Sequence, residues 1–500
     1  MIKALSRLQK PTEISAKLSP TIILFALVMC GAGSFWLYHW ARDLHRFIQG
    51  ISGYTALFIG QFAIYLLACY FVMRGQAPAS RKMKLILAAI VFIFAAAFRF
   101  DLVAQRPYLS TDVYRYIWDG RVQTAGINPY RYVPAAPELA DLRDDKIYPY
   151  INRRDYDSTP YPPGAQVIFH AAYLLHSSSV SAFKVLLSIF DLLAIVAVMI
   201  VLARNGLNPA QAIVFAWHPL LIYEGAHTGH IESAFIVFLV LAMLAHSYKK
   251  PTLTGVALAM ATLIKYYPAM LLPAFLLARQ SDSMGSIEDG NNHTLLTDKT
   301  QPFFKRARQL FTIEKIKALL NLSNIKLLLG FVLTIGLVHL PYLVKGSDAA
   351  GSLENEFSEE GFTGKGGRYF LLQMLRILMP VSTNLFLLIA VLAIFGLGWW
   401  WLLQNKRNSV DVARAAISLI GLYFFIVTPR YHWYYAWILP FLCFVPRLSW
   451  LYLTGAAVLL YALWFTPFVY PEIPNWLGVS IYAPTLAFLV WESRRGKTVA

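Results

Sequence analysis

Apolar runs close to the thickness of a bilayer recur along the whole chain, and no other feature constrains its fold as strongly. Hydropathy marks them at 19–40, 55–73, 84–104, 182–203, 210–226, 231–247, 252–266, 268–279, 325–343, 383–403, 412–428, 433–445, 449–466 and 477–491. A helix needs about 20 apolar residues to cross a membrane. Backbone placed in lipid has to satisfy its own hydrogen bonds, so runs of this kind predict helices. Composition agrees: 57% of the residues are hydrophobic and 14% charged, against roughly 45–50% apolar in soluble domains. The expected fold is an all-α polytopic membrane protein of about 12–14 transmembrane helices. The runs at 252–266 and 268–279 are each short for a crossing and predict a broken or re-entrant pair.

Basic residues give the expected orientation. Lys3, Arg7, Lys10 and Lys17 precede the first run, Arg74, Arg81, Lys82 and Lys84 fall in the second loop, and Lys249, Lys250, Lys406, Arg407, Arg494, Arg495 and Lys497 recur at alternate loops. Those loops then belong to the cytoplasmic side, and both termini with them. Much of the net charge of +17 is therefore topogenic and calls for no nucleic-acid partner. The basic inner loops also favour membrane lipid of anionic type. Cys30, Cys69 and Cys443 all fall in apolar runs without CxxC spacing, which predicts neither a disulfide nor a zinc site.

Three loops stand out: 105–164 and 344–380 on the outer side, and 280–324 on the inner side. The inner loop is rich in Ser, Asp and Asn and reads as a solvated linker. The first outer loop opens with LSTDVYRYIWDGRVQTAGINPYRY, which concentrates Asp112, Asp119, three arginines and five Tyr or Trp rings. On a helical wheel Asp112, Arg115, Tyr116, Asp119 and Gln123 share one side, and Val113, Tyr114, Ile117 and Trp118 the other. That pattern predicts an amphipathic helix lying at the membrane surface, started by Ser110 or Thr111 and stopped at Gly126. Asp112 falls in the first turn, where unpaired N–H groups favour an ionised carboxylate able to accept a proton. The bland alternative makes Asp112 a helix start and Asp119–Arg115 a solvated pair. A costly polar set beside the bilayer argues for function instead.

Further polar groups fall at the same face by the span count: Glu224, His227, His230 and Glu232 in EGAHTGHIE, Lys265 with Tyr266 and Tyr267, Arg368 with Tyr369, and Arg430 with His432 in TPRYHWYYAW. A carboxylate, several cations and many rings are what transfer from a lipid-phosphate carrier needs: a base, positive charge on the leaving phosphate, and flat surfaces for a sugar. The rings also suit an ordinary interfacial belt. HTGHIE is a metal-ligand pattern left incomplete in sequence. Lys265 is harder to explain as a bystander, because an ammonium among apolar residues is expensive near hydrocarbon.

Together, STDVYRYIWDGRVQTAGINPYRY, TPYPPGAQ at 159–166, WHPLLIYEGAHTGHIE at 217–232, LIKYYPAMLLP at 263–273 and PRYHWYYAWILP at 429–440 resemble the GT-C superfamily of integral-membrane glycosyltransferases. Within it they are most similar to bacterial polyprenol-phosphate-mannose-dependent mannosyltransferases of the glycosyltransferase-87 type. The resemblance implies a single GT-C-type transmembrane domain over 1–500, with surface helices in the first outer loop. It also implies a plasma-membrane location, an extracytoplasmic active site, a polyprenyl-phosphate-linked sugar donor, and a glycan or glycolipid acceptor. On that pattern Asp112 is the general base of an inverting displacement, and Lys265, Arg430 and Arg368 hold the donor phosphate. Arg115, Tyr116, Asp119, His227, His230, Glu232, Tyr266 and His432 position the substrates. Glu232 stands where the family more often has Asp. A single Asp112 after Ser110 and Thr111 replaces the paired acids of many relatives, which favours no cofactor and no metal, with Asp119 the one acid available to complete a divalent site.

The rival readings are a lipid-linked-glycan transporter or flippase, a scaffold, and a polymerase moving whole chains. A transporter tends to show repeated halves and charge near the midplane, whereas the polar groups here gather at one face.

Overall fold

The computed structural model describes residues 18–42, 51–74, 80–276, 319–343, 369–404, 408–463 and 473–496. Arg368, most of the inner linker and most of the second outer loop lie outside the described residues. Among the described residues the secondary structure is helical and no strand forms. The principal helices are α1 (Pro20–Ala41), α2 (Ile51–Arg74), α3 (Arg81–Leu102), α4 (Asp112–Thr124), α5 (Pro163–Leu175), α6 (Val180–Arg204) and α7 (Glu232–Ser247). They continue with α8 (Pro251–Ile264), α9 (Leu322–Leu343), α10 (Phe370–Leu378), α11 (Thr383–Leu402), α12 (Ser409–Val427), α13 (Leu448–Ala456) and α14 (Asn475–Gly496).

Seven helices among the described residues are long and apolar enough to cross a membrane: α1, residues Gly53–Arg74 of α2, α3, α6, α9, α11 and α12. Their outward faces carry large apolar side chains, among them Phe25 and Met29 on α1, Val332 and Leu337 on α9 and Leu392 and Phe395 on α11. Exposed apolar surface on this scale marks contact with lipid rather than water. The chain is a membrane protein.

The runs at 210–226 and 433–445 differ from expectation, whereas the run at 268–279, described as far as residue 276, breaks as its shortness predicts. None forms a spanning helix; each breaks into short 3-10, α and π turns. Prolines at 209, 219, 268, 273 and 440 restart the backbone at these breaks. Irregular backbone at membrane depth survives only where protein encloses it, and from Ala212 to Glu232 every residue is buried. Apolar runs that bury all round read like regular crossings in sequence.

Close helix contact comes from small residues. A Cβ on Gly255 of α8 would stand 2.0 Å from the Leu327 carbonyl of α9, and one on Gly330 of α9 would stand 2.5 Å from the Thr252 carbonyl of α8. Lipid tails are as apolar as leucine, so such reciprocal backbone approach, rather than hydrophobicity, holds the pair together. Deeper in the bundle Arg99 of α3 pairs with Asp191 of α6 at 2.9 Å, both fully buried, and donates to the Ala95 and Ala216 carbonyls.

The first loop supplies the cap over one end of the bundle. Helix α4 forms where expected, with the Ser110 hydroxyl accepting from the Asp112 N–H at 3.2 Å. Its end closes through the Ile127 N–H on the Val122 carbonyl at 3.1 Å. It does not lie bare at the membrane surface, however, because Val113 to Val122 are all buried. Tyr148 and Tyr150, on a 3-10 turn of the same loop, cover Trp118 and Tyr114 at 5.6 and 5.0 Å between ring centres, while Phe169 of α5 stacks on Tyr116 at 4.5 Å. The rings that resemble an interfacial belt in sequence are the packing between loop and bundle. All three cysteines are free and buried.

Candidate active site

Asp112 sits at the first turn of α4, at the floor of a cavity of about 490 Å³. The loop contributes Tyr108, Ser110, Asn152, Arg153, Tyr156 and Tyr161 to its lining, and the bundle contributes Lys265, Tyr431, Trp433, Tyr434 and Tyr461. Asn152 donates to Asp112 Oδ1 at 2.5 Å, and His230 Nε2 faces Oδ2 at 3.5 Å.

Behind this carboxylate runs a buried polar chain. His230 Nδ1 stands 2.8 Å from Glu224 Oε2. The other oxygen of Glu224 meets His432 Nε2 at 2.5 Å and accepts from the Tyr461 hydroxyl at 2.8 Å. The His230 ring stacks on Trp433 at 3.9 Å and lies between the two carboxylates, with Nε2 nearer Asp112 and Nδ1 nearer Glu224. This placement depends on the break at Ile222–Thr228, a π turn that ends on Gly229 at φ +85°. The Gly229 and His230 N–H groups both return to the Glu224 carbonyl, at 3.0 and 2.8 Å. Single π turns recur at functional sites because they re-aim side chains that a regular helix would splay. From the other side, Lys184 of α6 donates to the Gln105 and His227 carbonyls at 2.5 and 2.9 Å, tying the loop's root to the same turn.

The charges reinforce one another. Burial pushes the Asp112 carboxyl up, but His230, Arg153 and Lys265 outweigh it and hold it at about 2. Burial pulls the His230 imidazole down, while Asp112 and Glu224 overcome it and raise it to about 9. At neutral pH the pair is therefore carboxylate and imidazolium.

Lys265 follows the last turn of α8, where the helix stops and the chain extends. Its Nζ lies 2.7 Å from Glu232 Oε1 and 4.0 Å from the centre of the Tyr434 ring. Stacking on a ring partly compensates an ammonium removed from water. Arg153, beside Asn152, has φ +54° and approaches Asp157 at 3.8 Å. A non-glycine residue in the left-handed region costs about 1 kcal/mol or more, a strain that tends to collect at functional sites.

The structure thus brings Asp112, Tyr116, His230, Glu232, Lys265 and His432 to one end of the bundle, although their segments are far apart in sequence. Other residues singled out in sequence lie elsewhere. Arg115 and Asp119 pair at 2.8 Å, both buried, and Asp119 also accepts from Thr159 and Gln166 at 2.6 and 3.0 Å. The pair does not lie on a solvated face; it fastens α4 to the strap before α5. His227 offers its carbonyl to Lys184, and Tyr266 and Arg430 flank the cavity without lining it. Among the described residues no three His, Cys, Asp or Glu side chains form a group able to hold a metal ion.

Asn152, Arg153, Trp433, Tyr434 and Tyr461 belong to the site and escaped the sequence reading. Asn152 and Arg153 sit in an aperiodic loop, and Tyr461 lies inside an apolar run, where nothing distinguishes it from packing. Glu224 was visible in EGAHTGHIE, but its position between two histidines was not.

Residues 21–280 match the family described as alpha-(1->6)-mannopyranosyltransferase, N-terminal domain. That stretch contains Asp112, the π turn and Lys265. No curated protein and no solved structure matches the chain.

Proposed function

The chain belongs to this alpha-(1->6)-mannopyranosyltransferase family, a membrane glycosyltransferase of the GT-C type that uses mannose, and from that premise we propose that it draws the sugar from a polyprenyl-phosphate donor. The acceptor is a hydroxyl of a glycan or glycolipid, and the reaction takes place at the extracytoplasmic face of a bacterial plasma membrane. The donor class is the one used by the glycosyltransferase-87 enzymes that the loop motifs resemble.

The observation that carries this reading is the setting of Asp112: an ionised carboxylate at the floor of a cavity, with two cations and several rings around it. The acceptor oxygen attacks the anomeric carbon, and the bond from that carbon to the phosphate oxygen breaks, its electron pair leaving with the phosphate. The acceptor proton passes to Asp112. A carboxylate held at about 2 is a weak base toward a resting alcohol. It becomes competent as the attacking oxygen gains positive character, so proton transfer accompanies late bond formation. Inversion to an alpha linkage, the linkage for which the family is named, requires a beta-linked donor.

Lys265 and Arg153 meet the leaving phosphate, with Arg430 as a further cation; Arg368 keeps the phosphate role only as the family resemblance implies it. Tyr434 and Trp433 offer faces to the sugar. His230, held by Glu224, keeps Asp112 ionised and aimed. No step needs a metal or cofactor.

The test is transfer of radiolabelled mannose from synthetic polyprenyl-phosphate mannose by the purified protein, with Asp112→Asn alongside and chelator in one arm. Wild type transfers with and without chelator, and Asp112→Asn loses a factor of about 100 or more. Near-normal turnover by Asp112→Asn removes that residue from the role.

A further inference from the structure

A second cavity, also of about 490 Å³, lies at the opposite end of the bundle. Arg204 lines it, twenty residues along α6 from Lys184 at the active-site end, which places the two about 30 Å apart at the helical rise. The cavity has an unusual build. Three cations, Arg204, Lys249 and Lys250, stand at its rim, and none of the described residues that line it is a carboxylate. Its floor is polar and buried, formed by Thr254, Asn324 and Ser409, each exposed by 3% or less.

Helix ends add to the same sign. Helices α8, α9 and α12 all start here, directing the positive ends of their dipoles toward the cavity, and α8 begins without a side-chain cap. Arg204 is held in place by donating to the Ser247 carbonyl at 3.0 Å and by lying over the Tyr248 ring at 3.7 Å. A role limited to setting topology requires basic residues on one side of the membrane. It does not require an enclosed polar floor beneath them.

We propose that this cavity binds a phosphate anion at the membrane face opposite the Asp112 site, as a regulatory or anchoring site separate from sugar transfer. The cations neutralise the charge and the Ser409 hydroxyl supplies a directional partner, while the Thr254 hydroxyl and the Asn324 amide, donating to the Lys250 and Leu319 carbonyls at 3.0 and 2.9 Å, hold the polar wall in place. Basic clefts between helix ends at a membrane surface suit a phospholipid headgroup. A free phosphate presents the same chemistry.

The experiment uses the full-length protein in detergent and follows its thermal unfolding midpoint. Phosphatidylglycerol, phosphatidylcholine and inorganic phosphate are titrated separately against wild type, Lys249→Gln/Lys250→Gln and Arg204→Gln. A saturable rise with phosphatidylglycerol, absent with phosphatidylcholine and shifted to about thirtyfold higher lipid in the double variant, supports the site. A rise with inorganic phosphate that the variants also lose makes the free anion the ligand; a flat response to phosphate makes it the headgroup. The Arg204→Gln variant keeps both lysines and serves if the double variant unfolds before titration. A phosphatidylglycerol response unchanged in the variants, an equal response to phosphatidylcholine, or no response to either anion overturns the proposal.

Discussion

Replacing His230 with glutamine removes the cation that faces Asp112 at 3.5 Å and leaves a polar side chain in its place. In the native protein Asp112 is drawn from 3.8 to about 2 against the opposing effect of burial, a net preference for the ionised form of about 2.5 kcal/mol. A unit charge pair at this distance is worth up to about 5 kcal/mol at an effective dielectric of 20. Loss of His230 therefore removes more than the whole net shift, leaving burial opposed only by Arg153 and Lys265. Asp112 accepts a proton only when ionised, and that form disappears as pH falls through its pKa. Raising the pKa moves the loss to higher pH, so we expect the acid limb of kcat/KM to climb by about two pH units. The assay is the initial rate of mannose transfer from polyprenyl-phosphate mannose across pH, with circular dichroism confirming the fold at each point. A rate that drops uniformly with the acid limb unmoved refutes the idea that His230 acts on Asp112 through charge.

The same pair makes stability depend on pH. The contribution of Asp112 is present above 3.8 and lost as pH falls through about 2, and that of His230 is present below 6.5 and lost as pH rises through about 9; thermal melts should hold a plateau between those limits and fall outside them. Lys265→Met strands the Glu232 carboxylate, so it should raise the donor KM and lower stability, with stability but not KM recovered by adding Glu232→Gln; equal recovery of both would separate Lys265 from the phosphate. Arg99→Leu leaves Asp191 buried without its cation and should cost about 3–5 kcal/mol in a denaturation measurement. Gly229→Ala forces a Cβ into the left-handed region, 3.2 Å from the Val113 Cβ, and should cost about 1–2 kcal/mol and slow transfer, since Val113 adjoins Asp112.

Helix α4 shows how sequence and structure divide the account. Its start at Ser110 and its stop at Gly126 are local signals, and both act where they were read. Its amphipathic pattern was equally clear, but the polar face meets Thr159, Gln166 and Asn152 instead of water. A helical wheel records which residues share a side; it carries no information on what will cover that side. Hydropathy has the same limit at 210–226, where an apolar run serves equally for a crossing and for a broken segment sealed inside the bundle.

By itself the sequence determined the helical membrane class, the glycosyltransferase resemblance and the polar segments that gather at the candidate site, because hydropathy, caps and short motifs are local. Tertiary structure alone decided which polar groups meet. Glu224 joins His230 six residues away to His432 more than two hundred residues on, and Asn152 reaches Asp112 from a loop without pattern. Burial pulls in the same direction: a carboxylate sealed among rings has to find every available cation and donor, and only the packed bundle fixes which ones lie within 3 Å.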